Sequence, residues 1–305
     1  MKAKCEFVRE NSGEFSIKQL CQAVKLSAVS YYRSLNRARN SKSKEDQIAK
    51  LVEEVFSQHR RRYGLRPIHA ELRARGVKVG RHRVRRLMRQ KQLRAIQPKS
   101  FVPRTTESRH KLGYSENLLL NMQLPPPQMR TIIVSGITYL SLESGEWGYL
   151  VTWMDLFSRR ILGWAIRERM DEELLLRATR MMLKHHRLAK RAILHSDRGG
   201  QYAGKRYRSL LAGQKLRQSM SRAGETYDNA YAESLFSRYK AELLESESFS
   251  SIEEAELETF NYIEGYYNRI RRHSSLGYLS PEEYEKKKAA ERDEKLSKRF
   301  DKESP

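Results

Sequence analysis

Three apolar segments follow one another closely in the chain: TIIVSGITYL (131–140), WGYLVTWMD (147–155) and RILGWAI (160–166). All three are rich in β-branched and aromatic residues, which favour strands. Gly145 lies between the first two segments, and residues 157–160 form the connection between the next two. Three short strands joined this tightly predict an antiparallel meander.

A helix and a further strand follow the meander. DEELLLRATRMMLKHHR (171–187) has acids at its start and bases at its end, which complements a helix dipole. RAILHSD (191–197) predicts a short buried strand, and a strand–helix–strand step favours a parallel neighbour. This order predicts an α/β fold with a mixed sheet and flanking helices. Further helices are predicted over 205–214, 229–244 and 251–270, with Ser250 and Glu253 as a capping box for the last, and another helix start at 280–283.

The composition restricts the class of protein. The chain has 305 residues, of which 39% are hydrophobic and 32% charged, which is enough apolar material for a folded core. No apolar run approaches the ~18 residues of a membrane span, and residues 1–10 carry charges rather than an apolar signal segment. Cys5 and Cys21 are too few for a disulfide framework or a four-cysteine zinc site. We therefore expect a cytoplasmic protein with no membrane partner.

The charge is concentrated at one end of the chain. The formal net charge is +23, and residues 1–112 hold 29 Lys and Arg against 9 Asp and Glu, whereas residues 113–305 hold 31 against 28. A basic head on a nearly neutral body indicates a polyanion partner, most simply nucleic acid. The alternative is a basic protein that is ribosome-associated or merely soluble.

The basic head divides into two helical segments. Residues 1–40 contain two short predicted helices, the second capped by Ser27, which fit a helix-turn-helix or any small helical hairpin. The polar residues 36–46 predict a linker. Residues 45–96 predict three helices, over 45–59, 67–72 and 81–90, of which the last carries arginines on its outer face: Arg81, Arg83, Arg85, Arg86 and Arg89.

The arginine-rich helix lies in a stretch without acids. From Leu72 to Thr106 there are 12 Lys and Arg and no Asp or Glu. Such a helix after a short turn suits a DNA major groove or contact with phosphates, and the alternative is a solvated basic face. Residues 97–127 contain prolines with little periodicity and predict an extended linker, followed by a body over 128–290 and a charged tail over 291–305.

Two acids in the body are placed for metal chemistry. Asp197 follows a short apolar strand, where a carboxylate faces the crevice in which open α/β sheets bind ligands. Glu233 lies 35 intervening residues later, on the first turns of a predicted helix. Phosphoryl transfer on DNA uses carboxylates to hold divalent ions, and Mg²⁺ accepts a few carboxylates together with water and phosphate oxygens. On their own, however, an Asp and a Glu at this spacing fit helix-capping or salt-bridge roles better than metal binding.

Several sequence words occur together: HSDRGGQY (195–202), YDNAYAESLF (227–236), YYNRIRRHSSLGYLSPEEY (266–284) and MDLFSRRILGWA (154–165). Together they resemble the retroviral-type integrase core, and most closely the transposases of insertion-sequence family three, the product of the second reading frame. The head is similar to that family too. RYGLRPIHAELRARGVKVGRHRVRRLMRQKQL (62–93) resembles its helix-turn-helix segment, which implies a second helix-turn-helix DNA-binding domain over 45–96, and FSIKQLCQAVKLSAVSYYRSL (15–35) resembles its N-terminal segment.

The resemblance implies a ribonuclease H-like fold and a DDE-type polynucleotidyl transferase that cuts and joins DNA at element ends. It implies Asp197 and Glu233 as catalytic, metal-binding residues, with Mg²⁺ or Mn²⁺ as cofactor. The implied partners are double-stranded DNA (terminal repeats and target), further copies of the chain, and the upstream reading-frame product, all in the bacterial cytoplasm at the nucleoid.

One acid of the family pattern is missing. The family has an Asp in a word of the form TDITY on the first strand, and Gly136 stands there in Ser135-Gly136-Ile137. The aromatic residue that precedes the family word is replaced by Ile133. Because the first Asp is expected to bridge both metal ions, its loss predicts a severely weakened metal site and a lower turnover.

Three explanations fit Gly136: a decayed gene copy, a laboratory or sequencing change, or another carboxylate in its place. Asp155 is the nearest substitute, although we favour for it a turn or strand-end cap that holds Ser158 or the backbone; Glu143 and Glu146 are weaker candidates. Two functions follow as hypotheses: an active transposase, or an impaired DNA-binding protein that occupies element ends as a repressor or dominant-negative partner.

A second basic cluster follows the tyrosine-rich helix 251–270. Arg271 and Arg272 are predicted to contact DNA, with Arg269 and His273 beside them. The tyrosines at 262, 266 and 267 fit either a stacking role or a core role, and we expect apolar stems inside with the basic corner outside. His195 is predicted to position substrate or to pack in the interior.

Overall fold

The computed structural model describes residues 1–98, 113–243 and 248–303. The chain forms two compact units, Met1–Ala95 and Ile96–Pro305. Most of the predicted linker, residues 99–112, lies outside the described residues.

The first unit is helical. Its helices are α1 (Lys2–Glu10), α2 (Ile17–Ala23), α3 (Ala28–Gln58), α4 (Leu65–Ala74) and α5 (Arg81–Gln90). Val8, Leu20, Cys21 and Tyr31 form a small core where α1, α2 and the start of α3 meet. The side chain of Ser27 caps α3 as predicted, by accepting a hydrogen bond from the Ser30 N–H.

The predicted linker at 36–46 is wrong, because α3 runs through it without interruption. The composition of this stretch is polar, but it holds no Gly or Pro that would end a helix. Farther along, α3 packs with α4 and α5 around a second apolar centre, in which Val52, Ile68 and Val84 are fully buried. Between α4 and α5, Gly76 adopts the left-handed conformation that glycine accepts readily.

The second unit contains a five-stranded mixed sheet in the order β3-β2-β1-β4-β5. The strands are β1 (Ile132–Ser141), β2 (Trp147–Asp155), β3 (Ile161–Arg167), β4 (Ile193–Ser196) and β5 (Arg217–Met220). The first three form the predicted antiparallel meander, and β4 pairs parallel to β1. Strand β5 is parallel to β4 and escaped prediction because RQSM has no apolar pattern.

Helices cover both faces of this sheet. They are α6 (Glu172–His185), α7 (Lys205–Gly213), α8 (Ala230–Leu243), α9 (Ile252–Phe260), which continues into a π-helical segment (Asn261–Tyr267), and α10 (Pro281–Glu303). Val134 packs with Phe236 and Tyr262 on one face, whereas Ile133 packs with the α6 and α7 side on the other. Because side chains alternate along β1, each strand residue is committed to one of these two layers.

The helix starts are close to those predicted. Ser280 and Glu283 form a capping box at α10, since the Ser280 N–H donates to Glu283 Oε2 (2.8 Å) and the Glu283 N–H to Ser280 Oγ (3.3 Å). The box predicted from Ser250 and Glu253 is wrong by one residue. Ser251 is the cap of α9 and accepts from the Glu254 N–H.

The segment that precedes the sheet is fixed along its edge, although it was predicted as extended linker. The Leu118 N–H donates to Ser219 Oγ (2.9 Å), and the Met220 N–H donates to the Glu116 carbonyl (3.3 Å). Residues 115–118 therefore lie against β5 and belong to this unit.

Candidate active site

The candidate site lies where β1 and β4 separate. Their parallel ladder pairs Ile132 with Ile193 and ends at Val134 and His195. Gly136 and Asp197 each lie two residues beyond this last pair. The carboxyl ends of neighbouring parallel strands border the crevice in which open α/β sheets bind ligands. We refer to the space beyond Val134 and His195 as the fork.

Asp197 is half-buried on the β4 side of the fork. The Gly199 N–H donates a hydrogen bond to Asp197 Oδ1 (3.0 Å) and so fixes the carboxylate. A Cβ at position 199 would come within 3.1 Å of the same oxygen and 2.9 Å of Gln201 Oε1. A side chain at position 199 would therefore displace the Gln201 amide and press on the Asp197 carboxylate.

Glu233 lies in the first turn of α8 and is exposed. Partial burial and the negative charge of Asp197 raise the pKa of Glu233 above its usual value. Each of these two carboxylates thus lies within the electrostatic reach of the other. The structure brings together the two acids that the sequence predicted.

Gly136 faces the same helix from β1. A Cβ at position 136 would lie 3.2 Å from Ala232 Cβ and 2.8 Å from Phe236 Cε2, so it would project onto the turn of α8 that carries Glu233. A side chain at position 136 would therefore point towards the first turn of α8, in which Glu233 lies. Position 136 itself carries no carboxylate.

Within residues 1–98, 113–243 and 248–303, no three His, Cys, Asp or Glu side chains are grouped so as to hold a metal ion. Asp197 and Glu233 are hard oxygen donors, and one Mg²⁺ or Mn²⁺ accepts two carboxylates with water or phosphate oxygens in its other positions. The side chains at the fork therefore fit one weakly held divalent cation and do not fit two.

Comparison with known proteins identifies the family. A model described as an integrase core domain matches residues 126–226, another of the same description matches residues 214–281, and a model described as an HTH-like domain matches residues 43–101. Transposase InsF for insertion sequence IS3A of Escherichia coli strain K12 is 36% identical over 291 residues, which cover 94% of this chain and 100% of that protein. The chain belongs to the IS3 family of transposases.

Three other proteins that resemble this transposase match a smaller part of the chain, and the solved structures among them are also less identical in sequence. A 31 kDa protein of insertion element IS600 from Shigella sonnei is 36% identical over 269 residues, which cover 88% of this chain and 98% of that protein. The integrase catalytic core of BIV covers 53% of this chain and 98% of its own, with a TM-score of 0.40 and 11% identity. A core domain of HTLV-2 integrase in complex with magnesium covers 51% and 95%, with a TM-score of 0.37 and 10% identity.

Asp155 of the transposase is remote from the fork. It pairs with Ile133 in the β1–β2 ladder, whereas Gly136 pairs with Thr152. Three residues along a strand correspond to about 10 Å. The carboxylate is fully buried and accepts hydrogen bonds from the Arg130 N–H (3.0 Å) and from the N–H and hydroxyl of Ser158, as the strand-end interpretation requires.

The other substitute acids are no nearer to the fork. Glu143 and Glu146 are exposed in the β1–β2 turn, at the far end of β1 from Asp155. None of the three acids considered as a substitute thus replaces a carboxylate at position 136.

His195 is an interior residue of the transposase rather than a substrate ligand. Its ring is fully buried, its Nε2–H donates to the Asp228 carbonyl (3.0 Å), and its Nδ1 accepts from the Ser219 hydroxyl (2.8 Å). Burial lowers the pKa of His195 to about 4, so the ring is neutral near pH 7.

Asp228 and Asn229 were not predicted as functional, although they lie in the word YDNAYAESLF. The Asp228 carboxylate accepts hydrogen bonds from Arg222 and from Asn117 (2.9 Å). These bonds, above all that from the Arg222 side chain, lower the pKa of Asp228 to about 2. The Asn229 Nδ2–H donates to the Ser135 carbonyl (2.9 Å), one residue before Gly136. The sequence did offer a signal for Asn229, because it lies about one helical turn before Glu233.

The predicted DNA-binding arginines of α5 are in different environments. Arg86 is paired with Glu45, and Arg83 is half-buried. Arg81, Arg85 and Arg89 are exposed at a spacing of four residues, and no ion pair holds them in the part of the chain that the structure describes. These three arginines form one face of α5, which we call the α5 arginine face.

Arg271 differs most from expectation. Its guanidinium makes a bidentate ion pair with the buried Glu242, which also accepts a hydrogen bond from the Tyr262 hydroxyl (2.9 Å). Arg272 is half-buried and donates to the Tyr278 carbonyl (2.8 Å). Arg271 thus belongs to the interior, which speaks against a phosphate contact, and Tyr262 and Tyr267 are core residues as expected.

No helix in the described ranges is long and apolar enough to cross a membrane.

Proposed function

We propose that this chain is a DDE-type transposase that binds the DNA ends of its insertion sequence, and that Gly136 severely reduces its metal-dependent cleavage and joining of DNA. The observation that carries the proposal is the position of Gly136. It faces the α8 turn that bears Glu233 and lies across the fork from Asp197. Three positions thus converge, and two of them hold acids.

Phosphoryl transfer requires an attacking oxygen, a phosphate and a leaving oxygen to be held in line. A divalent cation, when bound, supplies positive charge that stabilises the phosphate and the attacking oxygen. The Gly199 N–H fixes the Asp197 carboxylate, and α8 fixes the main chain at Glu233, so the two acids are held near each other before substrate arrives. Their mutual repulsion favours a cation between them.

Gly136 removes the carboxylate that would complete this arrangement. With two acids left, the chain has donors for one cation, whereas in-line transfer with ions on both the attacking and the leaving oxygen needs a bridging ligand. We expect turnover to fall at least about a hundredfold, as when one group that stabilises transition-state charge is removed.

A second candidate function follows from the α5 arginine face. Arg81, Arg85 and Arg89 lie in the first unit, and the acids lie in the second. DNA binding through α5 does not require a complete acid site. A chain with normal end binding and little cleavage would act as a repressor or a dominant-negative partner of an active copy.

The remaining partners are part of the same proposal. We infer that the chain acts on double-stranded DNA of the terminal repeats and the target, that copies of it assemble on DNA, and that the upstream reading-frame product joins them. The setting inferred for this activity is the bacterial cytoplasm at the nucleoid.

The test is a cleavage and strand-transfer assay on the DNA ends of the element with Mg²⁺ or Mn²⁺. The native chain, Gly136→Asp and Gly136→Asp/Glu233→Gln are compared, and end binding is measured for each by mobility shift. We expect weak or no cleavage by the native chain, a gain with Gly136→Asp, and loss of that gain in the double variant, all with equal end binding. Measurable native cleavage equal to that of a folded, end-binding Gly136→Asp chain would contradict the proposal that Gly136 limits the reaction.

A further inference from the structure

The residues before α8 connect the three elements that form the fork. Asp228 and Asn229 end a short 3₁₀ turn (Thr226–Asn229), and α8 begins at the next residue. Glu233 follows Asn229 by four residues. Because residues four apart lie on one helix face, a shift of the backbone at Asn229 moves Glu233 with it.

The Asn229 side chain fastens this turn to β1. Its Nδ2–H donates to the Ser135 carbonyl (2.9 Å), and Ser135 is the first residue beyond the last pair of the β1–β4 ladder. The amide therefore binds the main chain at the point where β4 has diverged. Asn229 is 6% exposed, so this bond is shielded from water.

The neighbouring residue fastens the same turn to β4. The Asp228 carbonyl accepts from the Nε2–H of His195, which lies two residues before Asp197. Since the Ser219 hydroxyl occupies the other ring nitrogen, the orientation of the imidazole is fixed. The turn before α8 is thus bound to both strands of the fork, within two residues of position 136 on one side and of Asp197 on the other.

The two ends of the Asn229 amide are in different situations, because only Nδ2 is bonded to β1. Its Oδ1 is buried and, among the described residues, accepts no hydrogen bond. An unsatisfied buried carbonyl oxygen costs about 1–3 kcal/mol. An apolar residue of the same shape would avoid that cost, but it would lose the bond from Nδ2 to β1.

We propose that Asn229 is a positioning residue that holds the start of α8 against β1 and thereby sets the separation between Glu233 and Asp197. This inference rests on the proposed function, because the separation of the two carboxylates matters for catalysis only if they hold a cation. The placement itself is a property of the folded chain and can be tested without any cation.

The experiment is hydrogen exchange of the full chain, read by mass spectrometry over peptides that cover α8. Two variants remove the donor: Asn229→Ala, and Asn229→Leu, which keeps the number and branching of the side-chain heavy atoms and avoids the unsatisfied oxygen. Asn268→Ala is the matched control, because the side chain of Asn268 is also buried and bonded to main chain. Its Oδ1 accepts from the Ile161 N–H (2.9 Å), and its Nδ2–H donates to the Ile161 carbonyl (3.0 Å). Unfolding in urea is measured for all variants.

We expect exchange in the first turn of α8 (230–233) to rise at least about threefold in both Asn229 variants, with the later turns unchanged, as the loss of one hydrogen bond predicts. In parallel, Mn²⁺ affinity, measured by electron paramagnetic resonance in the Gly136→Asp background, should fall at least about threefold. Asn268→Ala should lower the urea midpoint without either effect.

Unchanged exchange at 230–233 in the Asn229 variants would overturn the inference, as would a rise spread evenly over the domain. Failure of every chain to bind Mn²⁺ would instead refute the proposed function, and the exchange data would still decide the role of Asn229. Localised exchange with unaltered Mn²⁺ affinity would show that Asn229 holds α8 but does not set the carboxylate separation, and would also reject the inference.

Discussion

The ring of Phe236 fills the space above Gly136, so that a Cβ at position 136 would come within 2.8 Å of Cε2. Distances this short between non-bonded carbon atoms are strongly repulsive, and the ring or the strand would have to shift. The absence of a side chain at position 136 thus determines how closely α8 packs on β1, as well as how many carboxylates the fork holds.

The first prediction tests this contact without adding charge. Gly136→Ala should lower the free energy of unfolding by about 1–3 kcal/mol through overpacking. Phe236→Leu shortens the side chain that faces position 136. In that background Gly136→Ala should lower the free energy of unfolding by a smaller amount, and a double-mutant cycle should give a coupling energy of at least about 0.5 kcal/mol. Urea denaturation of the four chains provides the measurement. Additive effects would show that the ring moves aside freely.

Much of the site was predictable because it depends on local pattern. The strand before Asp197 and the helix that carries Glu233 follow from runs of apolar residues and from helix periodicity. Their convergence was implied by the resemblance, whereas the crossing of Phe236 over Gly136 depends on how α8 packs against β1, which no local pattern records.

The features that the sequence did not reveal also have physical causes. The prediction that Arg271 contacts DNA rested on its basic neighbours and did not anticipate Glu242, 29 residues earlier, which pairs with it in the interior. Residues 36–46 were predicted as linker from polarity, but without Gly or Pro nothing there interrupts α3. The role of Asn229 was missed because its partner, the Ser135 carbonyl, is a main-chain atom 94 residues away.

The second prediction concerns the cation. A divalent ion that binds only the folded chain raises the melting temperature as its concentration increases. We expect Mn²⁺ to stabilise the native chain modestly and Gly136→Asp more strongly, and Glu233→Gln to abolish the effect. Because the pKa of Glu233 is raised, protonation should remove the stabilisation at a higher pH than for an ordinary glutamate.

Glu143→Gln is the control for this measurement, since it removes an exposed acid of the same unit away from the fork. Equal loss of Mn²⁺ stabilisation in Glu143→Gln and Glu233→Gln would indicate diffuse binding to surface carboxylates.

The third prediction concerns the α5 arginine face. The affinity for DNA falls with salt in proportion to the number of phosphates that a protein neutralises. Arg85→Gln should weaken end binding and reduce the slope of log affinity against log salt by about one. Arg75→Gln is the matched control, because Arg75 is already paired with Glu71 (3.0 Å) and Glu54 (2.9 Å). If both variants change the slope equally, the effect comes from overall charge and α5 has no special role.

The fourth prediction concerns pH. Burial raises the pKa of the Asp155 carboxyl above its ordinary value. A raised pKa in the folded state gives a contribution to stability that is fully present below the unfolded pKa, about 3.9, and is lost as the pH rises through the folded value. Asp155→Asn removes this contribution. The difference in unfolding free energy, native minus variant, should therefore be greater at pH 4 than at pH 7, and a difference that grows with pH would refute the assignment.

The fifth prediction separates a structural arginine from one that contacts DNA. Arg271 and Glu242 form an ion pair whose side chains are 15% and 2% exposed, and removing one partner leaves the other charge buried. Such a change costs about 3–5 kcal/mol. Arg271→Ala should therefore lower the urea midpoint strongly, whereas Arg269→Ala, at a side chain that is 67% exposed, should leave it nearly unchanged. Under conditions in which both variants are folded, end binding should not distinguish Arg271→Ala from the native chain. Weaker end binding by Arg271→Ala, with its stability unaltered, would place this guanidinium on the DNA after all.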